Sequence, residues 1–172
     1  MTRKRTIIIL IISTILTLSF TGFLFSPYFS EITSFTKAVD KVVFGYQIGF
    51  GSSGQPDQQI TGSILIMIGQ IAGMLAGVCS LIYTLWYIFS KKNVSFMMFL
   101  YCLCTPCLAL AFTSIAISWP LYQALNSNTL HSAYYHWCYY VTIVLTAIAF
   151  FIDAFALVYV AINRKKDNVD TK

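Results

Sequence analysis

Asp153 is the one acidic residue inside an apolar stretch of this chain. A carboxyl group in that setting either joins a hydrogen-bonded clamp between helices or carries a proton or cation. Gln70 lies in another apolar stretch and is a candidate partner, as are Ser13, Thr14, Thr17, Thr113 and Ser114. No second acid, lysine or arginine accompanies Asp153 within the apolar segments. Two readings follow, a polar clamp and a relay in a small transporter or channel subunit.

A second candidate chemistry is redox. Cys104-Thr105-Pro106-Cys107 has the two-residue spacing that lowers a thiol pKa in oxidoreductases. Counted from Phe96, however, it lies about 12 Å into its apolar segment, with no basic neighbour to stabilise a thiolate. Buried thiols beside a proline kink are the simpler expectation. The other cysteines stand at 79, 102 and 138, and the histidines, His131 and His136, lie near the opposite end of the apolar segments. That separation argues against a metal centre, and no cofactor is expected. The glycine-rich stretch from Phe44 to Asp57 carries no lysine and opens no nucleotide-type helix, so a phosphate loop is discarded.

The elements that must position these residues are membrane spans. The 172 residues are 58% hydrophobic and only 10% charged, with a mean hydropathy of +0.73. Segments 6–25, 61–89, 96–118 and 136–162 are each long enough to cross a ~30 Å hydrocarbon core. This excludes a soluble enzyme with a large aqueous core. The net charge of +5 is no nucleic-acid signal, because the basic residues sit at span boundaries. Segment 6–25 follows Arg3-Lys4-Arg5 as a leader peptide would, yet Ser19-Phe20-Thr21-Gly22 is a poor cleavage site, so an uncleaved anchor is expected.

Of eleven lysines and arginines, only Lys37 and Lys41 fall in segments 26–60 and 119–135. The rest flank the other span ends, which predicts cytoplasmic termini and two external loops, the first the larger. Trp119, Tyr122, Tyr134, Tyr135, Trp137, Tyr139 and Tyr140 mark the external boundary. The expected fold is therefore an all-α, four-helix membrane bundle in one domain, 1–172.

Gly69, Gly73 and Gly77 recur every four residues in the second span, a strip that lets another backbone come close. It serves either packing within the bundle or a seam between molecules. In the first loop, Phe29, Ile32, Phe35, Val39, Val42 and Val43 follow a three-and-four spacing. That predicts an amphipathic helix over 28–44, resting on the bundle or headgroups or offered to a partner. The segment 45–54 reads as a turn-rich tip, with Tyr46 and Phe50 as possible contact residues. The external loops contain no cysteine, so no disulfide staples them.

The layout, together with the run from Ile117-Ser118-Trp119-Pro120 to Asn126 and the aromatic start Tyr134-Tyr135-His136-Trp137, resembles the claudin-like superfamily of claudins, peripheral myelin proteins and fungal SUR/PalI proteins. The glycine-rich second span is similar too. Where claudins carry a Gly-Leu-Trp signature and a cysteine pair, this chain has Phe44-Gly45-Tyr46 and no cysteine. The resemblance implies a non-enzymatic role in membrane organisation, adhesion or assembly at the plasma membrane. Its implied partners are the bilayer and other membrane proteins or further copies of itself, not nucleic acid.

Overall fold

The computed structural model describes residues 2–33, 39–53, 59–90, 95–126 and 131–169. Among these described residues, four helices are long and apolar enough to cross a membrane, within α1 (Thr2–Phe23), α3 (Ile64–Phe89), α4 (Ser95–Ala116) and α6 (Trp137–Val169). The chain is thus a multi-pass membrane protein. Between them lie the short helices α2 (Gly45–Phe50) and α5 (Ser118–Asn126), and the strands β1 (Pro27–Thr33), β2 (Val39–Phe44) and β3 (His131–Tyr135).

The long helices form a ring in which α3 packs on α1 and α4, and α6 closes against the same two. The Arg3 guanidinium donates to the carbonyl oxygens of Tyr87 and Ile88, each at 3.4 Å, so the start of α1 lies beside the end of α3. Carbonyls in a last helical turn lack intrahelical partners, and a cation there meets the negative end of the helix dipole. Pro106 sits inside α4, where it removes one backbone donor. Pro120 falls in the first turn of α5, where no such donor is needed. It helps restart the helix just beyond the third span.

The opposite end of the bundle departs from an all-α reading. Three strands form an antiparallel sheet in the order β2-β1-β3, so segments from both predicted loops share one sheet. The expected amphipathic helix over 28–44 is instead a pair of strands. Register shifts between Pro27 and Phe29 and between Glu31 and Ile32 break the two-residue alternation, which is why the apolar spacing reads as three and four. Each strand is also only six or seven residues long, too short for periodicity to separate helix from strand.

The expected tip is likewise more ordered than a turn. Gly45–Phe50 is helical, Gly51 turns the chain with φ +76°, and Ser52 and Ile60 exchange backbone hydrogen bonds at 3.0 and 3.3 Å. The Gln47 side chain accepts the Phe44 amide at 3.0 Å and so satisfies one donor at the start of α2. Phe35 lies outside the described residues.

Candidate functional site

Two regions gather the residues that could act: a polar centre inside the bundle and an aromatic platform at the sheet end. The polar centre starts from spacing. On α1, Thr6, Leu10, Ser13, Thr14, Thr17 and Phe20 are buried, as is Leu24 just beyond its end, and on α6 so are Tyr139, Thr142, Thr146, Ala149, Asp153, Ala156 and Val160. Both sets recur at three, four or seven residues, the period of one helical face. Hydroxyls on these faces satisfy themselves locally or across helices. Thr142 and Thr146 donate to carbonyls four residues back, both at 2.6 Å.

Asp153 is fully buried. Its Oδ1 accepts the Ser13 hydroxyl at 3.1 Å, and its Oδ2 accepts the Thr105 hydroxyl at 2.9 Å. Tyr101 in turn donates to Ser13 Oγ at 3.4 Å. One carboxyl group therefore ties α6 to α1 and α4. A separate set joins α1 to α3, with Thr14 Oγ1 2.9 Å from Ser80 Oγ and 2.8 Å from Thr84 Oγ1. In hydrocarbon, where no water competes, such hydroxyls hold helices that have no hydrophobic drive to associate.

Among the partners anticipated for Asp153, Ser13 is brought to it. Gln70 is not: its Nε2 donates to the Gly45 carbonyl at 2.7 Å, tying α3 to α2 at the sheet end. Thr17, Thr113 and Ser114 donate to carbonyls on their own helices, and Thr14 turns to α3. Thr105 and Tyr101 escaped sequence reasoning. Thr105 lies between Cys104 and Pro106, where the spacing of the two cysteines rather than the hydroxyl is the local signal.

The Cys104 thiol is buried and directed at the Ala76 carbonyl at 3.5 Å. All five cysteines are free thiols. Among the described residues, no group of three His, Cys, Asp or Glu side chains is placed to hold a metal ion.

Gly69, Gly73 and Gly77 are buried within the chain. A Cβ at Gly69 would strike Ser114 and the Leu110 carbonyl of α4. One at Gly73 would strike the Phe20 ring of α1, and one at Gly77 would come within 3.1 Å of Leu18. The strip is therefore divided between two neighbours of the same molecule.

At the sheet end, Phe29 is the hub. It is fully buried, with ring centroids 5.0 Å from Trp119, 5.4 Å from Tyr135 and 5.0 Å from Tyr139. It is core, not the contact residue its loop position suggested. Backbone bonds seat the sheet on the spans: His136 N donates to Tyr28 O at 2.9 Å, and Tyr46 N to Leu24 O at 2.8 Å. The Ser30 hydroxyl and His136 Nε2 are 2.7 Å apart. Burial pushes the Tyr28 and Tyr135 phenols above the usual tyrosine range.

The remaining expected contact residues divide. Tyr46 is half-buried between Phe25 and Phe44, with ring centroids at 5.6 and 6.2 Å. Phe50 is 50% exposed. Ile32 and Val39 oppose one another across β1 and β2. No known family model matches the sequence, and no characterised protein matches it either.

Proposed function

We propose that this chain is a claudin-like, non-enzymatic tetraspan protein that organises or assembles membrane proteins through lateral and external contacts. The observation carrying this reading is the sheet that unites segments from both inter-span loops on top of four packed spans. A bundle that spends so much order on an extramembrane platform has a surface suited to recognition. Orientation is inferred from charge along the sequence: Arg3, Lys4 and Arg5 precede the first apolar segment, Lys91 and Lys92 follow the second, and Arg164, Lys165, Lys166 and Lys172 follow the fourth, which supports cytoplasmic termini and a sheet that faces out. The plasma membrane is the expected site, and the basic end meets its anionic inner leaflet.

A transporter or channel subunit working through Asp153 is the second reading, favoured by the full burial of a carboxyl within the bundle. The two hydroxyl donors that already satisfy its oxygens weigh for a clamp instead.

The test is photo-crosslinking in intact membranes from two positions. Val42 and Ile82 have similar exposure, 41% and 42%, but Val42 lies on the sheet and Ile82 on the face of α3. Discrete adducts to a second copy or another membrane protein from Val42, with only lipid adducts from Ile82, support the organising role. Lipid adducts alone from both positions overturn it.

A further inference from the structure

Asp153 places a carboxylate at the mid-depth of the bundle. Its hydroxyl partners stand midway along their helices, Ser13 eleven residues from Thr2 and ten from Phe23, Thr105 ten from Ser95 and eleven from Ala116. At 1.5 Å per residue, either end is about 15 Å away. Segments 6–23, 64–89, 95–116 and 137–162 contain no lysine, arginine or histidine, and Asp153 is their one acid. A basic side chain rooted at a span end falls short of that depth. We propose that Asp153 and the hydroxyls of Ser13, Thr105 and Tyr101 bind a single sodium ion.

The first argument is charge. Hydrogen bonds orient a carboxylate without cancelling its charge, and an uncancelled charge at this depth is costly. One monovalent cation balances one carboxylate. A divalent ion would leave a positive charge buried in its place.

The second argument is the supply of oxygen lone pairs. A carboxylate offers about four acceptor sites, and Ser13 and Thr105 occupy one on each oxygen. Each hydroxyl gives up its proton in doing so but keeps its own lone pairs, one of Ser13's being taken by Tyr101. Acceptors therefore outnumber donors, and a cation can join without breaking the clamp. Spacing favours a small ion. Calcium, close to sodium in size, holds oxygens at about 2.3–2.6 Å, so ligands at right angles to one another lie about 3.3–3.7 Å apart. The oxygen pairs here are 2.9, 3.1 and 3.4 Å apart. The larger potassium ion would have to spread them further.

On the buried face of α6, Thr146 and Thr142 lie on the sheet side of Asp153, whereas Ala156 and Val160 lie on the other. An ion approaching along α6 thus meets hydroxyls only from the sheet side. Once bound, it would tie α1, α4 and α6 more firmly than the hydroxyls do alone.

Sodium binding goes beyond the organising role and requires neither a protein partner nor transport, so its failure would leave that role standing. The full chain is purified in uncharged detergent at neutral pH. Thermal unfolding is followed in sodium, potassium and choline chloride of equal concentration, and bound radioactive sodium is counted. Sodium about tenfold above its dissociation constant should raise the unfolding temperature by about 4 °C over choline. One ion should bind per chain, and potassium should act less. Asp153→Asn should lose the sodium effect while unfolding within about 2 °C of the unaltered chain in choline. Thr105→Val should weaken sodium binding about tenfold. Equal unfolding temperatures in sodium and potassium overturn the proposal, and that comparison needs no variant. Stabilisation by acid with no response to sodium assigns a proton to Asp153 and overturns it too, as does sodium binding that Asp153→Asn retains.

Discussion

The polar centre and the sheet end are held together by different physics. Around Asp153, three spans meet through a few directional bonds from hydroxyls, with small residues bringing the backbones close. Around Phe29, large rings pack edge to face, and backbone bonds hold the strands. The first region lies where hydrocarbon surrounds the protein, so burying an apolar side chain there gains little and hydrogen bonds do the sorting. The second lies where water is within reach, and removing rings from it stabilises the fold strongly. A polar residue is therefore informative in the bundle, and a buried aromatic is informative at the sheet.

That contrast orders the expected effects of substitution. Phe29→Ala should cost the most, about 3–5 kcal/mol, because it empties the hub of the aromatic cluster. Thermal unfolding in mild detergent should show it, with early loss of the near-ultraviolet aromatic signal. Gly69→Leu comes next at about 1–3 kcal/mol, since the added side chain meets the backbone of α4. Gly77→Ala should cost much less, as its nearest neighbour is the flexible end of Leu18. If the two glycine variants proved equal, the strip would not be divided as described.

Asp153→Asn should cost least, about 0.6 kcal/mol, the usual weight of a hydrogen bond between membrane helices. The amide keeps one acceptor and loses the other. A flux lost in this variant while its stability stayed normal would move the polar centre from clamp to relay. A loss larger than that of Phe29→Ala would reverse the comparison between the two regions.

The spans and their ends were legible because length and hydropathy are local properties. Four apolar segments separated by polar ones could be little else, and the 61–89 and 136–162 segments agree to within a few residues with the apolar spans Ile64–Phe89 of α3 and Trp137–Ile162 within α6. The intramembrane position of Asp153 and the close approach at Gly69, Gly73 and Gly77 were visible for the same reason. Residues 28–44 misled because register shifts gave two short strands a helix-like spacing. Thr105 was missed because its importance comes from a carboxyl 48 positions away.

By itself, then, the sequence determined that this chain lives in a membrane, how many times its helices can cross it, and which residues would be costly inside. Only the tertiary structure decided that Ser13 and Thr105, rather than Gln70, meet Asp153, and that Gln70 instead ties α3 to α2. It also decided that β3, from beyond the third span, completes a sheet begun before the second. Partitioning into lipid depends on each segment's own composition, whereas pairing depends on which distant segments the packed bundle brings within hydrogen-bond reach.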